Sequence, residues 1–117
     1  MCDDTTRICD RIPESPVEKA RFTRRTKLLA LAGGLDDIGL RARLVENVLK
    51  PTVLRCWNPD TMGWTLSVTC EMSGPDARWQ FWLHPGAVPI GDAEHVREPD
   101  DALDAAHAVA AELARWG

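Results

Sequence analysis

Residues 64–72 read WTLSVTCEM and residues 78–84 read RWQFWLH. In the first, Leu66, Val68, Cys70 and Met72 alternate with Thr65, Ser67, Thr69 and Glu71. In the second, Trp79, Phe81 and Leu83 alternate with Arg78, Gln80, Trp82 and His84. Period-two alternation is the mark of a strand with one face buried. Between the two runs stands Ser-Gly-Pro-Asp at residues 73–76, a turn by its Gly and Pro. Two adjacent strands and a tight turn make an antiparallel hairpin, and the rest of the fold is built around it.

Upstream of the hairpin, residues 39–46 alternate Leu40, Ala42 and Leu44 with Arg41, Arg43 and Val45, and residues 52–57 form a second apolar run. Both read as strands. Asn58 to Gly63 is a turn. Downstream, residues 86–91 read as irregular, or as a short edge piece. The sequence therefore predicts four antiparallel strands joined by short connections, which favour a meander.

A helix is expected at each end of the chain. Ser15-Pro-Val-Glu18 has the form of a helix start, with Ser15 as cap, Pro16 in the first turn and Glu18 completing a capping box. The predicted helix runs from Pro16 toward Asp37. Leu28, Leu31 and Leu35 form its apolar stripe, Val17, Ala20 and Arg24 continue it, and Leu29 and Ala32 widen it. Gly33 and Gly34 weaken the helical pattern, so either the helix bends there or close packing requires small residues. Gly39 is the expected stop, just past the last turn. Pro99, with Asp100, Asp101 and Asp104, announces the last helix, which carries Ala102, Ala106, Val109, Leu113 and Trp116 at helical spacing. Residues 1–14 read as a flexible arm, and residues 15–117 as one domain. The predicted class is α+β: a two-layer domain of helix, four-stranded antiparallel sheet and helix, both helices on one face.

If the helices cover one face, alternation assigns the other. The helix side takes Leu40, Ala42, Leu44, Leu54, Cys56, Leu66, Val68, Cys70, Phe81 and Leu83, with Trp79 joining Phe81 by parity. The opposite side takes Arg41, Arg43, Val45, Val53, Arg55, Trp57, Thr65, Ser67, Thr69, Gln80, Trp82 and His84. That side carries arginine and tryptophan where a merely solvated sheet shows Lys, Glu and Thr. Trp and Arg are the types most enriched at binding hot spots. Arg41, Arg43, Arg55, Trp57, Trp82 and His84 are thus the candidate partner-binding residues, for a protein partner or for a second copy of the chain in a homodimer. Stacking of Trp and Arg across strands to stabilise the sheet is the plainer account of the same pattern.

The 117 residues carry a net charge of −4, unevenly spread. Residues 1–58 hold 11 basic and 8 acidic side chains, whereas residues 59–117 hold 3 and 10. The two halves can attract each other within a domain or between subunits. Overall acidity argues against general nucleic-acid binding. The basic stretch on the first helix, Arg21, Arg24, Arg25 and Lys27 with Lys19, is the alternative site, of a kind that contacts a phosphate backbone or an anionic membrane surface.

Motifs for catalysis are missing. There is no Walker A, G-x-G-x-x-G, G-x-S-x-G or H-E-x-x-H pattern. His84, His95 and His107 lie apart in strand, loop and helix, without ligand spacing, so no metal or other cofactor is expected. Asp36-Asp37 and Asp100-Asp101 are neighbours in sequence, and adjacent residues do not face one another on a helix. Cys56 and Cys70 fall in apolar strands and read as small hydrophobes. Cys2 and Cys9 are spaced too widely for a zinc knuckle. A Cys/His nucleophile is opposed by parity, which sends Cys56 and Cys70 to the helix side and His84 to the other. A small enzyme or ligand-binder with a pocket between helices and sheet is a further alternative. With no basic and apolar leader visible and no transmembrane run, the expectation is a cytoplasmic protein with no membrane partner.

The residues Gly39-Leu-Arg-Ala-Arg-Leu44, Trp57-Asn-Pro59, Trp79-Gln-Phe-Trp82 and Pro89-Ile-Gly91, followed by an Ala-rich helix, resemble a class of small uncharacterised actinobacterial α+β proteins. The resemblance runs from Gly39 to Ala114 and implies a strand-rich middle and a bacterial cytoplasm, without an activity. The expected layout is also similar to that of small acidic secretion chaperones, which set helices on one side of a twisted sheet and dimerise. Together these lead to a chaperone-like or regulatory interaction module as the expected function.

Overall fold

A computed structural model of the chain describes residues 16–47, 49–60, 65–73, 75, 77–84 and 88–116, with the backbone alone for residues 16, 17, 47, 51 and 116. The expected arm at residues 1–14, the Ser15 cap, Cys2, Cys9 and Trp64 lie outside them. Among the described residues the order is α1 (Pro16–Asp37), β1 (Arg41–Asn47), β2 (Lys50–Trp57), β3 (Leu66–Ser73), β4 (Arg78–His84), β5 (Val88–Asp92), a 3-10 turn (Pro99–Ala102) and α2 (Leu103–Trp116). The fold is α+β. The strands form one antiparallel sheet in the order β1-β2-β3-β4-β5.

Five strands replace the four expected. β5 is the segment read as irregular, and its alternation is hidden by Pro89, Gly91 and a bulge. Phe81 pairs with Gly91 and Trp82 with Pro89, so Ile90 is the extra residue. A proline is at home on an edge strand, where its missing N–H leaves no ladder bond unmade.

The helix end at Gly39 is built as its residues require. Gly39 has φ +90°, the left-handed conformation. The Leu40 N–H donates to the Leu35 carbonyl at 2.9 Å, and the Gly39 N–H to that of Asp36 at 3.1 Å. This is a Schellman motif, closed by burial of both Leu35 and Leu40. At the other end of the chain, the Asp101 carboxylate accepts from the backbone N–H groups of Arg97 and Glu98, both at 3.1 Å. These bonds favour its ionised form and hold its pKa below the ordinary carboxylate value.

One core joins the layers. Leu28, Leu31 and Leu35 of α1 and Ala105, Ala106, Val109 and Leu113 of α2 are buried in one cluster with Leu54, Cys56, Val68, Cys70 and Phe81 of the sheet. The strand residues in it all have the parity assigned to the helix side. Gly33 and Gly34 are explained by close approach rather than a bend. A Cβ on Gly33 would stand 2.6 Å from Cγ of Pro99, and one on Gly34 would stand 3.2 Å from the Pro99 carbonyl oxygen. The expected widening of the α1 stripe by Leu29 is corrected, because Leu29 is exposed.

Candidate functional site

The sheet register places the six candidate residues of the Arg/Trp face together. Arg41 pairs with Trp57 and Arg43 with Arg55 across β1 and β2. Arg55 pairs with Ser67 across β2 and β3, and Ser67 with His84 across β3 and β4. Arg43, Arg55, Ser67 and His84 therefore form one continuous row over four strands, on the side opposite the core. Trp57 stands one step to one side of this row. Trp82, opposite Thr69, stands one step to the other.

Arg41, Arg43, Arg55 and His84 are exposed, while Trp57 and Trp82 are half-buried. The guanidinium of Arg41 reaches Asp36 Oδ1 at 3.1 Å and its neighbour's carbonyl, that of Leu40, at 3.2 Å. Arg24, Arg25, Arg78 and Arg115 likewise reach carboxylates, those of Glu71, Glu46, Asp92 and Glu112. Arg43 and Arg55 have no such partner among the described residues. Arg21 and Arg97 lack one as well, but each stands singly, away from the sheet. The Arg43–Arg55 pair is different, because two like charges directly opposite on neighbouring strands are destabilising. The Trp82 indole N–H adds a second unmet need: it is shielded from solvent and has no acceptor among the described residues. A buried donor left unmade costs about 1–3 kcal/mol.

The basic stretch of α1 does not form one exposed face. Lys27 is 6% exposed. Its ammonium donates to the carbonyls of Ala93, of Glu94 at 3.1 Å and of Val96 at 3.4 Å. Three donors thus meet three acceptors, and none is left for a phosphate. Arg24 also turns inward, donating to the Cys70 carbonyl at 3.0 Å and to Glu71 Oε1 at 2.8 Å. Both cations stand 6.0 Å from the centre of the Trp79 ring. Arg21 and Arg25 remain exposed, with Arg25 paired to Glu46. Of the four residues of the alternative site, Arg24 and Lys27 thus bind the strands and the loop beneath α1. Lys27 is the residue whose role sequence reasoning missed. The signal was its position, three after Arg24 and four before Leu31, within the inward stripe.

The two described thiols are shielded from solvent. Cys56 and Cys70 are free and buried. Burial pushes each thiol from 9.0 up to about 12, because the thiolate has no solvation there. His84 lies on the opposite face of the sheet. No cluster of metal-ligating side chains occurs among the described residues. One surface depression of about 310 Å³ lies between β5 and the start of α2, lined by Asp92, His95, Asp101 and Asp104 among others, and one of about 270 Å³ lies between α1 and the start of β4, beside Phe22, Lys27 and Trp79. The carboxylates of the first are already engaged in part, Asp92 by Arg78 and the Glu94 N–H, Asp101 by the loop before the 3-10 turn. No described helix is long and apolar enough to cross a membrane.

No protein-family model matches this chain, and neither a curated protein nor a solved structure matches it.

Proposed function

We propose that this chain is a non-enzymatic interaction module, chaperone-like or a regulatory adaptor, that takes a protein partner or a second copy of itself on the Arg/Trp face of its sheet. The observation that carries the reading is the Arg43–Arg55 cross-strand pair, exposed and without a counter-charge among the described residues. A sheet that served only its own stability gains nothing from this pairing. Trp57 and Trp82 beside it supply large, stiff apolar surface, the usual companion of arginine where binding energy is concentrated. The setting we propose is a bacterial cytoplasm, where Cys56 and Cys70 stay reduced.

Nucleic-acid binding through α1 is the weaker reading, since Lys27 and Arg24 are committed to the chain's own carbonyls and to Glu71. An Arg55→Ala/Trp82→Ala variant tests the proposal. Its molar mass by light scattering and the proteins that co-purify with it are compared with those of the wild type. Loss of a dimer, or loss of the co-purifying protein, is the expected result. A monomer that retains the same partners with and without both side chains overturns the reading.

A further inference from the structure

The face has a chemistry that selects its occupant. We propose that the row Arg43–Arg55–Ser67–His84 receives an extended acidic segment of another protein, laid across the strands, with carboxylates at alternate positions. The inference rests on the interaction reading above and narrows it from any partner to an anionic peptide.

Charge comes first. The register puts two carboxylates on this side of the sheet among the described residues, Glu71 and Asp92, in one row with Gln80. Both are already engaged, by Arg24 at 2.8 Å and by Arg78 at 3.0 Å. Arg43 and Arg55 therefore lack an unengaged carboxylate on their own face among the described strand residues. A second copy docked by a two-fold axis presents the same patch to itself. That places unpaired guanidinium groups toward unpaired guanidinium groups and relieves nothing. An acidic segment supplies the missing charge, and the planar fork of arginine suits a carboxylate.

Spacing comes second. Neighbouring strands lie about 4.8 Å apart, so a row over four strands spans roughly 14 Å. Same-side residues of an extended chain recur about every 6.8 Å. Three alternate carboxylates thus cover the row, the first at Arg43, the second between Arg55 and Ser67 and the last at His84. Trp57 and Trp82, on opposite sides of the row, form the walls of this track and are placed to pack the segment's stem atoms.

Direct titration tests this. The probes are short rhodamine-labelled peptides of alternating Glu and Ser, the same with Gln for Glu, and a single-stranded oligothymidylate, each followed by anisotropy. The Glu/Ser peptide is expected to bind, and to weaken as salt shortens the Debye length from about 10 Å toward 3 Å. Arg43→Gln/Arg55→Gln should weaken it roughly tenfold or more. Arg43→Lys/Arg55→Lys should recover part of the loss, and Arg21→Gln should leave binding unchanged. The inference is overturned if the Gln/Ser peptide binds equally well, if the double Gln variant binds like the wild type while keeping its melting temperature, or if the oligonucleotide binds more tightly through the same arginines. Equal Gln/Ser binding that is lost in Trp57→Ala/Trp82→Ala removes the acidic chemistry and keeps the interaction face. Absence of any peptide binding, with unchanged partners for Arg55→Ala/Trp82→Ala, removes both.

Discussion

Arg43 and Arg55 sit opposite each other on β1 and β2, where like charges oppose the sheet by about 0.2–1 kcal/mol. Replacing one of them by an acid reverses the sign of that pairing. Arg55→Glu is therefore expected to stabilise the fold by about 0.5–1 kcal/mol in urea unfolding, while weakening any interaction made by the face. A gain in stability joined to a loss of binding separates a binding residue from a sheet-stabilising one. A loss of stability in Arg55→Glu means that Arg55 serves the sheet itself. The parity of four strands was enough to put Arg41, Arg43, Arg55, Trp57, Trp82 and His84 on one side in sequence. Nothing in that parity could tell which arginines find carboxylates, since Arg41 meets Asp36 at the end of α1, a residue off the sheet that strand alternation does not address. Lys27 shows the same limit. Its ammonium is held by carbonyls of residues 93–96, which lie far along the chain, and a basic residue in a helix gives no local sign of that.

At the scale of elements, α1 meets the start of the last helix through Gly33 and Gly34. Helix propensity alone favours Ala over Gly by about 1 kcal/mol. Overpacking against the Pro99 ring, 2.6 Å from the added Cβ, opposes this by about 1–3 kcal/mol. Gly33→Ala is thus expected to lower stability in urea unfolding, and an increase contradicts the close approach of α1 to Pro99. Sequence posed this choice between bend and close packing without deciding it, because the partner of the glycines is distant in the chain. β5 was obscured for another reason. Its five residues include Pro89 and Gly91, and the bulge at Ile90 breaks the alternation that made β3 and β4 easy to read. Strands of regular alternation were legible, and β2, which holds Pro51 near its start, was legible from residue 52 onward. The edge, where regularity is not needed, was not.

At the scale of the molecule, the basic first half and acidic second half meet where Arg24 of α1 reaches Glu71 of β3, and Lys27 closes the same junction on backbone carbonyls. The core beneath holds Cys56 and Cys70 as neutral thiols, with pKa values raised from 9.0 to about 12 by burial. An acid whose folded pKa is raised stabilises the fold fully below its unfolded value and loses that contribution as pH climbs toward the folded one. Stability in urea is therefore expected to fall between pH 9.0 and about 12, and to fall less steeply in Cys56→Ala than in the wild type. Equal slopes contradict the burial of that thiol.

The charge left over from this internal pairing stands at Arg43 and Arg55, on the sheet face opposite the core, and its accessibility and occupancy can be read residue by residue. Phenylglyoxal modification, mapped by mass spectrometry with and without the Glu/Ser peptide, tests the role of the face most directly. Arg43 and Arg55 are expected to react readily in the free protein, faster than the half-buried Arg24, and to be protected when the peptide is present, with Arg21 and Arg97 unaffected. Protection that falls on Arg21 and Arg97, and leaves Arg43 and Arg55 reactive, contradicts the account.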